Sequence, residues 1–110
     1  MTNSTAVAIE RCRAAYREAM ANFIRNNGGP QKASEFYTRR KGNEAFRDAL
    51  PQLSSRQNIL DFIACVVDGV LIEAILETTS SKLVYAAQIA LNAFPREPRP
   101  KRSTSKRRKE

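Results

Sequence analysis

The sequence predicts an all-α fold: a small bundle of four to five helices followed by a disordered basic C-terminal tail. Three observations carry this. Apolar residues recur at three- and four-residue steps, as on one face of a helix. Cap and breaker residues (Asn26-Asn27-Gly28-Gly29-Pro30, Pro51, Thr78-Thr79-Ser80-Ser81) divide the chain into helix-sized segments. Strong apolar density is concentrated in Ser54–Phe94, where no segment offers a partner for an isolated strand.

Asn3-Ser4-Thr5 supplies cap oxygens for a first helix in which Ile9, Cys12, Tyr16, Ala19, Met20 and Phe23 share a face. Glu10, Arg11, Arg13, Arg17 and Glu18 point outward. The Asn-Gly-Pro run ends it, because glycine and asparagine accept the left-handed cap and proline cannot continue the ladder. A second helix is expected from Lys32 to Lys41, with Phe36, Tyr37, Phe46 and Leu50 as its apolar stripe, a weak point at Gly42-Asn43, and a further turn or two up to Leu50. Pro51 stops it. Ser54 or Ser55 caps a third helix whose broad face is Ile59, Leu60, Phe62, Ile63, Val66 and Val67, and Asp68-Gly69 reads as its end. Val70–Leu76 is read as a short helix rather than a strand. Thr78–Ser81 caps a last helix over Leu83–Phe94, apolar almost all round and so expected at the centre of the bundle or in an oligomer interface.

At 110 residues the chain is long enough for one domain, placed at residues 1–95, with 96–110 as the tail. The net charge of +8 is uneven. From Arg96 onward eight Lys/Arg face two acids, +6; the preceding body has eleven cations against nine acids, +2. Pro95, Pro98 and Pro100 break regular structure, and KRSTSKRRKE has nothing apolar to bury, hence the expectation of disorder. Ile59–Leu76 is long enough to suggest a membrane span, but Asp61, Asp68 and Glu73 lie inside it at roughly 2.5–3.5 kcal/mol each. The N-terminus has neither the basic start nor the apolar run of a leader, and a cytoplasmic protein with two buried, reduced thiols (Cys12, Cys65) is expected.

Catalytic chemistry has little to work with. The absence of histidine removes the commonest general base and metal ligand. The serines at 54, 55, 80 and 81 read as caps, Asp68 as a turn residue, and Glu73 and Glu77 as solvated charges four apart that would share a face if helical. Gly28-Gly29 lacks the strand and the GK[ST] of a phosphate loop. No enzyme activity, catalytic residue, cofactor or metal is expected. A helix-turn-helix would need polar or basic side chains near the start of its second helix; this chain offers Ser81 and Lys82, then Leu83 and Val84.

The tail is the candidate site. Arg99, Lys101, Arg102, Lys106, Arg107, Arg108 and Lys109 can neutralise phosphates and release counterions without reading sequence. The same run suits an acidic protein surface or anionic lipid, though no apolar anchor adjoins it. Phosphorylation of Ser103, Thr104 or Ser105 would cut its charge. Arg39-Arg40-Lys41 could extend the patch.

FIACVVDGVLIEAI followed by KLVYAAQIALNAF resembles a group of short, uncharacterised bacterial proteins that pair a helix of the FIACV type (Phe62–Val66) with a closing helix containing YAAQ (Tyr85–Gln88). The resemblance implies a bacterial, cytoplasmic, all-helical domain and brings no activity or site. The resulting reading is a small non-enzymatic interaction or regulatory protein, with non-specific nucleic-acid contact through the tail as one route. The alternative is a structural or oligomeric protein–protein adaptor in which the tail is incidental.

Overall fold

The computed structural model describes residues 3–94, and these form four helices with no strand. They are α1 (Ser4–Asn26), α2 (Glu35–Asp48), α3 (Arg56–Leu71) and α4 (Glu77–Ala93). The residues from 95 onward, including every tail cation named above, lie outside the described residues.

The first helix forms as its caps dictate. The Asn3 side chain accepts from the Thr5 and Ala6 amides at 2.8 and 3.1 Å. At the other end Gly28 and Gly29 adopt φ of 95° and 90°, and the Gly29 amide returns to the Ile24 carbonyl at 2.9 Å. Ser34 caps α2 and Ser55 caps α3 through the Tyr37 and Asn58 amides.

Two glycines read in the sequence as breaks lie instead within unbroken helices. A Cβ on Gly42 would come within 2.7 Å of Met20 Cγ and 3.0 Å of the Tyr16 ring. On Gly69 it would meet Ile75 Cδ1 at 2.7 Å and Phe46 Cε1 at 2.8 Å. Both glycines are buried where helices approach most closely, and that proximity outweighs their poor helix propensity. The second helix therefore runs through Gly42-Asn43, and α3 runs through Asp68-Gly69 to Leu71.

What ends α3 is Glu73, a non-glycine residue at φ 65°, with the Ala74 and Ile75 amides both bonding the Gly69 carbonyl at 2.7 and 3.1 Å. The expected short helix over Val70–Leu76 is this turn. Relieving its left-handed backbone by Glu73→Gly is expected to stabilise the protein by about 0.5–1 kcal/mol, read as a raised denaturation midpoint, since the left-handed cost of about 1–2 kcal/mol is partly offset by glycine's freer unfolded chain. An unchanged or lowered midpoint would contradict that reading. With the chain turned early, α4 begins at Glu77, six residues before the expected start. Ser80 and Ser81 lie in its first turn, donating to the Glu77 carbonyl at 2.7 and 3.2 Å, and no side chain caps it.

The helices pack in the order α2–α1–α3–α4: α1 lies against α2 and α3, and α3 against α4. Phe46 reaches from α2 to α3 and, fully buried, meets the Tyr16 ring edge-on at 6.5 Å. Around it close Cys12, Ile59, Phe62, Cys65, Val66, Ala74, Ile75 and Ala87. The last helix is not central. It lies at one end of the row, with Ala87 alone buried and Tyr85 and Ile89 exposed, because α3 is the one helix it packs against extensively. Among the described residues no helix is long and apolar enough to cross a membrane.

Candidate binding surfaces

Two acids that could have carried chemistry are committed to holding the helices together. Asp61, almost fully buried on α3, accepts from Ser4 Oγ (2.9 Å), Thr5 Oγ1 (2.5 Å) and Gln57 Nε2 (2.9 Å), which ties the N-terminus of α1 to α3. Burial alone would push its carboxyl up; the bonds from Thr5, Gln57 and Ser4 outweigh that and hold it below the usual carboxylate range. A depressed folded pKa contributes stability that is present above the unfolded value of about 3.9 and lost as pH falls through the folded one. The melting temperature is therefore expected to fall in acid by more in the wild type than in Asp61→Asn. Parallel acid profiles would show that Asp61 is not held as the ionised form.

Asp68 lies within α3 rather than in a turn. Both its oxygens take the Arg13 guanidinium, at 2.9 Å from Nε and 2.6 Å from Nη2, so Arg13, expected to face outward, bridges α1 and α3 instead. Cys12 and Cys65 are free, fully buried neighbours on the same two helices. The hydrogen bond to Cys12, together with burial, pushes the Cys65 thiol far above the ordinary thiol range. Glu73 and Glu77 do not share a helix face; they border a surface hollow with Arg39, whose Nη2 lies 3.8 Å from Glu73 Oε1. Among the described residues no group of three or more His, Cys, Asp or Glu is gathered to hold a metal ion.

Charge divides unevenly along the chain. Residues 1–50 hold nine cations against five acids, +4, and residues 51–95 hold two against four, −2. The basic half presents a groove of about 420 Å³ along the outer face of α2. It is lined by Phe36, Arg39, Arg40, Asn43, Glu44 and Arg47. The sequence pattern had Phe36 and Tyr37 inside; they are 67% and 53% exposed and stack edge-on at 5.2 Å. The inward face of α2 is instead Thr38, Gly42 and Phe46, at steps of four, which turns Phe36, Arg40, Asn43 and Arg47 away from α1. Glu44 contacts Arg40 at 3.5 Å and Lys41 at 4.0 Å, exposed pairs of the kind worth about 0–1 kcal/mol.

The α3–α4 half presents an apolar groove between its two helices, also about 420 Å³, lined by Val66, Val67, Val70, Leu71 and Val84 together with Glu77, Ser80 and Ser81. Leu71 is 76% exposed. Tyr85 lies one helical turn beyond Ser81 and Ile89 two, which continues the apolar strip along the outer face of α4.

No family model, curated protein or solved structure matches this chain.

Proposed function

We propose that this chain is a small, non-enzymatic interaction protein that contacts nucleic acid without reading its sequence, through the basic C-terminal run and the basic α1–α2 half. The observation that carries this is the segregation of charge: +6 after Pro95, +4 over residues 1–50 and −2 between them. A cationic run and a cationic helix pair can each neutralise phosphates and draw affinity from counterion release, whereas base-edge recognition needs a reading helix. The first turn of α4 supplies Glu77 and, further on, Lys82, so it is unsuited to that role. The test is equilibrium binding of the full chain to random-sequence DNA and RNA at low salt. Binding that is indifferent to sequence supports the proposal, and no binding refutes it.

The adaptor reading has its own support in the exposed apolar strip of Val67, Leu71, Tyr85 and Ile89, since contiguous exposed apolar surface marks interaction sites. If this strip is an interface between copies, sedimentation equilibrium gives a mass above the monomer, and Leu71→Lys restores the monomer. A monomer for the wild type leaves the strip without a role in self-association. A bacterial, cytoplasmic setting belongs to the same proposal and rests on the FIACV and YAAQ segments.

A further inference from the structure

We infer that the groove along α2 is a single-stranded nucleic-acid site in which a base stacks on Phe36 while Arg40 and Arg47 hold backbone phosphates. This inference rests on the proposed function and adds the site, the strand state and the residue that decides between strand states. Phe36, Arg40, Asn43 and Arg47 stand at steps of four, three and four, on one side of α2. At 1.5 Å per residue the row is about 16 Å long, room for a few nucleotides, with Arg40 and Arg47 about 10 Å apart.

Each component matches a part of that ligand. A phenyl ring two-thirds exposed, steadied edge-on by Tyr37, presents a face on which any base can stack. Three arginines against Glu44 leave the groove at +2. Asn43 lines the groove as well, and its Oδ1 is buried with no hydrogen-bond partner among the described residues, a cost that rotation of the amide toward a bound base or sugar would relieve. A duplex would use the arginines but leave the ring idle, since its bases are already stacked on one another. An acidic peptide likewise has no use for the ring. A membrane-surface helix needs a broad apolar face, and the remaining apolar side of α2, around Phe46, is buried against the rest of the domain.

The chain contains no tryptophan, so Phe36→Trp places a single reporter in the groove and keeps a stacking surface. The experiment titrates the full-length protein with fluorescently labelled oligothymidine, with a duplex of matched length, with poly-glutamate and with anionic vesicles. Phe36→Ala is expected to weaken oligothymidine binding about tenfold or more and to leave duplex affinity and melting temperature unchanged. Phe36→Trp is expected to retain binding, with its fluorescence quenched by the single strand and not by the duplex. Arg40→Gln and Arg47→Gln should each lower the salt slope by about one for either ligand. Four results overturn the inference: single-strand affinity unaffected by Phe36→Ala, equal loss on duplex and single strand, tighter binding to poly-glutamate than to oligothymidine, or tighter binding to vesicles. The first of these, with oligothymidine binding abolished by neutralising the tail, leaves the proposed function standing and removes only this site. No binding to any nucleic acid removes both.

Discussion

Replacing Phe46 by alanine is expected to cost about 3–5 kcal/mol of folding stability. The side chain is fully buried and meets elements from three helices: it packs edge-on against Tyr16 of α1, belongs to α2, and fills the space left by Gly69 of α3, where an added Cβ would lie 2.8 Å from its ring. No neighbour can readily collapse into the void, since Gly69 offers no side chain and Cys12, Ile59, Cys65 and Val66 are themselves fully buried. A small domain has about 5–15 kcal/mol in all, so this one truncation removes a large share of it. Phe36→Ala, ten residues earlier on the same helix, is the matched control, and as an exposed substitution it should fall within about 0.5 kcal/mol of wild type. Urea titrations of the two variants decide the matter. Equal losses, or a loss below about 1 kcal/mol for Phe46→Ala, would mean that the core is not centred where α1, α2 and α3 meet.

The second large effect concerns binding. Changing Arg99, Lys101, Arg102, Lys106, Arg107, Arg108 and Lys109 to glutamine removes seven of the nineteen cations and takes the net charge from +8 to +1. Affinity for duplex DNA at low salt should fall by orders of magnitude, because the counterion-release term scales with the number of phosphates neutralised. Melting temperature and helicity should change little, since KRSTSKRRKE has no apolar side chain to contribute to a core. Duplex binding that survives this change would shift the electrostatic role to the α1–α2 half and its nine cations.

The helical class, the caps at Asn3 and Ser55, and the glycine-rich stop after Asn26 were all legible in the sequence, because each depends on residues a few positions apart; the second helix was expected from Lys32 and starts at Glu35, after the Ser34 cap. What was not legible depends on partners distant in sequence. Gly42 and Gly69 look like breaks until Met20, Tyr16, Phe46 and Ile75 are placed beside them. Arg13 looks solvent-facing until Asp68, fifty-five residues away, is brought to it. Thr78–Ser81 has the composition of a cap, yet the left-handed turn at Glu73 redirects the chain so that α4 starts ahead of it. An apolar circumference shows that α4 needs covering but not how far its neighbours cover it, and it packs extensively against α3 alone. The α2 groove is half legible: Arg39-Arg40-Lys41 reads as a charge run, while the stripe pattern puts Phe36 in the core, because its exposure follows from the orientation that Gly42 imposes.

The most direct test of the central claim is the salt dependence of duplex DNA binding by the full-length chain. With about six cations meeting phosphates, affinity should fall on the order of a thousandfold between 50 and 200 mM salt, linearly in logarithmic coordinates and equally for unrelated sequences. Binding that is insensitive to salt, or that differs sharply between sequences at fixed salt, would contradict it and point to recognition of base edges by the folded body.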